Sequence, residues 1–211
     1  MTLVRDRALS AARGVTVAQG RGGLEAIGAE SCAAAIWQRD LPPGFADWIG
    51  ALAPKELPSG RVILRPGDAA AVLTELSDAV GLPDGPERAF LLTDIAALCE
   101  TFAGIMKARW IRLRLQPVST NSCRKFHRDA VTARLVCTYR GTGTQYGTAL
   151  GGGDPQRVFT VPTGAPIMLR GTLWQEMPHS GLLHRSPPIE GSGETRLLCV
   201  IDPVDDPEDD L

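Results

Sequence analysis

The sequence predicts an α+β chain of one domain. A mainly helical first half, residues 1–107, packs on an all-β second half, residues 108–202, and an acidic tail fills 203–211. Three observations carry this. Leu91, Ile95, Cys99, Phe102 and Met106 recur at spacings of four, four, three and four, which is one face of a helix. Directly after it, RWIRLRLQP over Arg109–Pro117 sets Ile111, Leu113 and Leu115 against Arg112 and Arg114, so the period switches to that of a strand. From there to Asp202, short apolar runs alternate with Gly- and Pro-rich turns, the pattern of a sandwich or barrel.

The elements follow in order. Residues 1–30 are rich in Ala, Gly and Arg without a firm period, a partly ordered lead-in. Cys32–Trp37 is a strand or a helical turn, and Phe45, Trp48, Ile49 and Leu52 mark a short helix ending near Pro54. Arg61–Leu64 reads as a strand, and Val72, Leu73, Leu76 and Val80 as the stripe of a helix over Asp68–Val80. Asp84 is the expected N-cap of the next helix, with Pro86 in its first turn and Glu87 three residues on. In the second half the candidate strands are Thr132–Tyr139, Val158–Val161, Pro166–Leu169, Leu182–His184 and Thr195–Asp202.

Composition bounds the function. With 211 residues, 44% hydrophobic and 22% charged, the chain has the make-up of a soluble domain able to bury a sizeable core. A formal charge of −2 gives no general attraction to nucleic acid or to an anionic membrane. The five cysteines form no CxxC pair and read as free thiols. Without an apolar leader, and with no window read as a membrane span, the expected location is the cytoplasm.

The chemistry concentrates in NSCRKFHRDAVTARLVCTYRGTGTQY, residues 121–146. His127 and Asp129 are separated by one residue, so in an extended strand both side chains fall on one face. The other two histidines, His179 and His184, lie together in MPHSGLLHRSP. Two imidazoles and one carboxylate can hold a divalent cation and leave positions open. Spacing admits either His179 or His184 as the third ligand. His184 is preferred because LLHRSPP ends a short apolar strand, while His179 after Met177-Pro178 reads as a loop residue, exposed or facing a substrate. Arg196, in the apolar strand TRLLCVID, needs an anion if it points inward, either a protein carboxylate or a ligand.

These residues resemble the Fe(II)/2-oxoglutarate-dependent dioxygenases over roughly the second half of the chain. The likeness rests on His-x-Asp, a distal His, and an Arg a dozen residues beyond it. It implies a double-stranded β-helix, a jelly-roll, cupin-like barrel, with Fe(II) on His127, Asp129 and His184 and the far carboxylate of 2-oxoglutarate on Arg196. The blocks CRKFHRD, TYRGTGTQY, LRGTLW and TRLLCVID also resemble a bacterial family of unknown function. In this reading Tyr139 and Thr144 hydrogen-bond the co-substrate from the barrel mouth. Gln145, His179 and Arg134 face a small-molecule or anionic substrate, although a basic run such as Arg124, Lys125, Arg128 and Arg134 is more often solvated surface. The loop Arg140–Thr144 lacks a phosphate-cradle pattern and reads as a turn.

Two other functions stay open. One is a Zn²⁺- or Mn²⁺-dependent cupin-type hydrolase or isomerase on the same three ligands, without 2-oxoglutarate. The other is a non-catalytic binding module. Cys123, four residues before His127, adds a thiolate that would favour zinc, but a structural zinc site needs two more ligands.

Overall fold

The computed structural model describes residues 12–175, 180–206 and 208. Strands occur in both halves of the chain. The first half holds β1 (Val15–Ala18), β2 (Ala34–Trp37) and β3 (Gly60–Leu64), with helices α1 (Phe45–Ala51), α2 (Ala69–Ala79) and α3 (Pro86–Met106). The second half is β4 (Trp110–Val118), β5 (Ala133–Arg140), β6 (Gln145–Thr148) and β7 (Phe159–Thr160), then β8 (Ile167–Arg170), β9 (Leu182–Arg185) and β10 (Arg196–Val204). The first half is thus less purely helical than its composition suggests, because β1, β2 and β3 join the sheet of the second.

That sheet has seven strands in the order β1-β2-β8-β5-β10-β4-β3, and every neighbouring pair except β1–β2 is antiparallel. A second, antiparallel sheet has the order β7-β6-β9. The alternation seen in β4 explains how the layers pack. Ile111, Leu113 and Leu115 share a core with Leu91, Ile95, Cys99 and Phe102 of α3, as do Leu135 and Cys137 of β5 and Leu197, Cys199 and Ile201 of β10. Side chains on the other face, including Val118, Val136, Ile167, Leu198 and Val200, build a smaller core with Tyr146, Val161 and Leu182 from the region of the three-stranded sheet. The candidate site lies on this second face.

Two local expectations change. α3 begins at Pro86 with Gly85 as its N-cap, and Asp84 instead pairs with Arg88 at 2.8 Å. Proline at the first helical position has no N–H to cap, and the short gap to Arg88 gives the carboxylate a charged donor. In addition, α3 is long and apolar enough to cross a membrane by length and composition, at mean hydropathy 1.6, which corrects the expectation that no window reaches that range. Its apolar residues pack on the large sheet, and this accounts for its composition.

Candidate metal centre

His127 and His184 are brought together by backbone pairing. His184 lies on β9, and His127 forms an isolated antiparallel bridge with it: each N–H donates to the other's carbonyl, at 2.9 and 3.0 Å. Directly opposed residues project to the same face, and the two imidazole centroids are 4.6 Å apart. His127 Nδ1 is 2.8 Å from the carbonyl of Lys125. A carbonyl only accepts, so Nδ1 carries a proton, and in the neutral ring Nε2 is then the atom able to bind a metal.

Asp129 completes the cluster. Its backbone carbonyl accepts from the Thr172 N–H at 2.8 Å, and this approach requires glycine at 171. A Cβ there would lie 1.8 Å from the carbonyl oxygen of Val131 and 2.8 Å from that of Asp129. Asp129 Oδ1 accepts from Arg134 Nη1 at 2.6 Å and lies 3.4 Å from His127 Nε2. Oδ2 lies 3.0 Å from His184 Nε2, yet it is buried without a properly directed hydrogen bond. Burial would raise this carboxyl, but close approach of His184, then Arg134 and His127, outweighs it and brings the pKa down to about 2. The carboxylate is therefore ionised at neutral pH.

One ligand atom from each of His127, Asp129 and His184 lies within 4.8 Å of the others. Ligands about 2.1 Å from one cation and at right angles to each other are about 3 Å apart. The 3.0 Å between His184 Nε2 and Oδ2 fits that spacing, and Oδ2, without a hydrogen bond among the described residues, is the atom a cation would satisfy. Cys123 is exposed and stands outside the cluster, so the thiolate alternative gains nothing from the geometry.

Arg134 was expected to face a substrate. It lines the cavity, but its guanidinium is committed: Nε and Nη2 donate to both oxygens of Asp202 at 2.6 and 2.7 Å, while Nη1 holds Asp129. It positions Asp129, and two carboxylates already match its charge. Asp202, buried on β10, is a member of this network that the linear pattern did not reveal.

Arg196 is 1% exposed. Its Nε donates to the Thr142 carbonyl at 2.6 Å, and Nη2 reaches Thr138 Oγ1 at 3.4 Å. Nη1 is buried with no hydrogen-bond partner among the described residues. Desolvation draws the pKa down to about 10, with Glu194 opposing the fall. The glycine-rich loop is the turn that holds this arginine: Glu194 accepts from the Thr142 N–H and hydroxyl, at 2.7 and 3.0 Å. At Gly141 (φ +78°) a Cβ would come within 3.0 Å of Arg196 Cγ.

A cavity of about 130 Å³ joins these groups; its walls include His127, Asp129, His184, Arg196 and Thr144. Tyr139 is elsewhere, which corrects its expected contact with a co-substrate. It sits in the helix-side core, its hydroxyl donating to Asp94, which also pairs with Arg39. Thr138 and Tyr139 point to opposite sides of the sheet, and a bulge opposite Leu197 and Leu198 follows. Gln145 is outside the cavity lining and accepts from Arg185 at 2.8 Å. His179 lies outside the described residues.

The architecture is mixed α+β with a large antiparallel sheet, a fold the chain shares with a solved structure. The 2-oxoglutarate complex of the dioxygenase for auxin oxidation 1 from Arabidopsis thaliana is 10% identical, covers 94% of this chain and 97% of its own, and has a TM-score of 0.51. The rice dioxygenase for auxin oxidation is 14% identical, with 93% and 84% covered and a TM-score of 0.47. A Pseudomonas putida prolyl-4-hydroxylase is 13% identical, with 86% and 96% covered and a TM-score of 0.42. At these identities the likeness is one of fold, carried by the first. Among curated proteins none is significantly similar in sequence. The family described as "Protein of unknown function (DUF1826)" matches residues 18–202, and the chain belongs to it.

Proposed function

We propose that this chain is a mononuclear non-haem Fe(II), 2-oxoglutarate-dependent oxygenase, and that its two sheets form a double-stranded β-helix of the jelly-roll, cupin-like kind. One observation carries the reading: a buried carboxylate oxygen beside two imidazoles and a buried guanidinium nitrogen, both without hydrogen bonds among the described residues, line one cavity. A cation satisfies the first and a carboxylate the second. The Arabidopsis protein of the same fold was solved with 2-oxoglutarate, which supports the choice of co-substrate.

His127 Nε2, Asp129 and His184 Nε2 would hold Fe(II), which when bound supplies the oxidising chemistry with O₂. Arg134 keeps the Asp129 carboxylate ionised and oriented, and the Lys125 carbonyl fixes the tautomer of His127. Arg196 offers Nη1 to the far carboxylate of 2-oxoglutarate, with Thr144 on the same wall. Val118, Val136, Leu198 and Val200 give the cavity an apolar wall among its polar groups. Arg196 favours this function over a zinc or manganese hydrolase, which has no need of a buried unpaired cation.

The test is anaerobic titration with Fe(II) and then 2-oxoglutarate, followed by the visible charge-transfer band of the metal–2-oxo acid complex. One Fe(II) per chain and a band that appears only with both are expected. Arg196→Gln should keep Fe(II) and weaken 2-oxoglutarate by at least about tenfold. Stoichiometric Fe(II) without any band would sink the co-substrate assignment.

A further inference from the structure

We infer that the substrate of this site carries an anionic group, a carboxylate or phosphate, that docks on Arg114 with Arg61 beside it. This deepens the proposed oxygenase function and rests on it. Arg114, on β4, lines the same cavity as His127, Asp129, His184 and Arg196. It makes no hydrogen bond or ion pair with any described residue. Its partner across the strand pair with β3 is Arg61, directly opposite and likewise unpaired among the described residues. Like charges in directly opposed positions destabilise an antiparallel pair, so the chain keeps an unfavourable arrangement that an anion between the two guanidinium groups would relieve.

Among the described residues no carboxylate nearby is free to do this. Asp202 is held by two nitrogens of Arg134, and Asp129 has one oxygen on the third and the other turned to the imidazole of His184 in the candidate metal centre. Arg114, Arg134, Arg185 and Arg196 line the cavity against the single carboxylate of Asp129, and a bound divalent cation would add to that imbalance. The two unpaired arginines differ in depth. Arg196 is sealed in the wall, which suits a co-substrate that binds first, whereas Arg114 is half-buried and open to a molecule arriving later. Burial and then Arg134 lower the pKa of Arg114, with Arg61 adding to the effect and Asp202 opposing it, in agreement with a cation short of counter-charge.

The test uses the full chain loaded anaerobically with Fe(II) and saturated with 2-oxoglutarate, so that Arg196 is occupied. Calorimetric titration with acetate, methyl phosphate and neutral acetamide should show binding of at least one anion and not of the amide. The two anionic probes tell carboxylate from phosphate. Arg114→Gln should weaken the preferred anion about tenfold, Arg114→Lys less, and Arg61→Gln by about threefold, with 2-oxoglutarate affinity unchanged in all three. Equal binding of acetamide and the anions, or undiminished anion binding in folded Arg114→Gln, would overturn the inference. If the chain binds neither Fe(II) nor 2-oxoglutarate, the oxygenase reading fails by itself. The same titrations on the unloaded protein then decide the Arg114 site: a tenfold loss in Arg114→Gln upholds it, and no loss removes it.

Discussion

His127 and His184 are paired through their main chains, N–H to carbonyl in both directions, and it is this bridge that aligns their rings. Main-chain pairing therefore positions both candidate ligands. We expect His127→Ala, Asp129→Ala and His184→Ala each to lower Fe(II) affinity by at least about 100-fold while far-ultraviolet circular dichroism stays unchanged. Stoichiometric tight binding by any of them would remove that residue from the ligand set.

Arg134 links two carboxylates, Asp129 and Asp202, and both depend on it. Arg134→Gln leaves Asp202 buried and unpaired, and should cost about 3 kcal/mol of stability. It should also reduce metal affinity by about tenfold, because Asp129 loses its orienting donor. Adding Asp202→Asn should recover part of the stability and none of the metal affinity. Denaturant melts and metal titration read the two effects separately.

The Asp129 carboxyl, at about 2, lies below its ordinary value of 3.8. A depressed carboxyl contributes stability that is fully present above the unfolded value and lost as pH falls through the folded one. Between about pH 4 and pH 2, the metal-free wild type should therefore lose on the order of 2 kcal/mol more than Asp129→Asn. Parallel urea midpoints for the two proteins across that range would show that the carboxylate is not held down.

Tyr139 separates the core from the site. Tyr139→Phe removes the hydroxyl that donates to buried Asp94 and should cost about 1–3 kcal/mol of stability, without altering Fe(II) or 2-oxoglutarate affinity. A change in 2-oxoglutarate affinity would return Tyr139 to the cavity.

The periodicities were legible where a face is built from one residue type. The four-four-three-four spacing of α3 and the alternation of β4 both reappear as core contacts, and His127, Asp129 and His184 were selected by residue type and local spacing. Less legible were β6, interrupted by Gly147, and the entry of β1 and β2 into the large sheet, since these four-residue strands depend on partners far along the chain. The same alternation separated Arg112 and Arg114 from Leu113. A period of two says which residues share a face but not whether water, a second sheet or a cavity covers it.

The sequence by itself determined the long helix α3, the switch to strands at β4, the apolar faces and the short set of residues able to bind a metal or an anion. Tertiary structure decided which of them meet. It placed His184 opposite His127, spent Arg134 on two carboxylates, turned Tyr139 into the core, and left Arg114 without an ion pair and Arg196 Nη1 without a hydrogen bond among the described residues. The reason is physical: propensity and period act within a few residues, whereas the pairing of a charge depends on strands that reach it from distant parts of the chain.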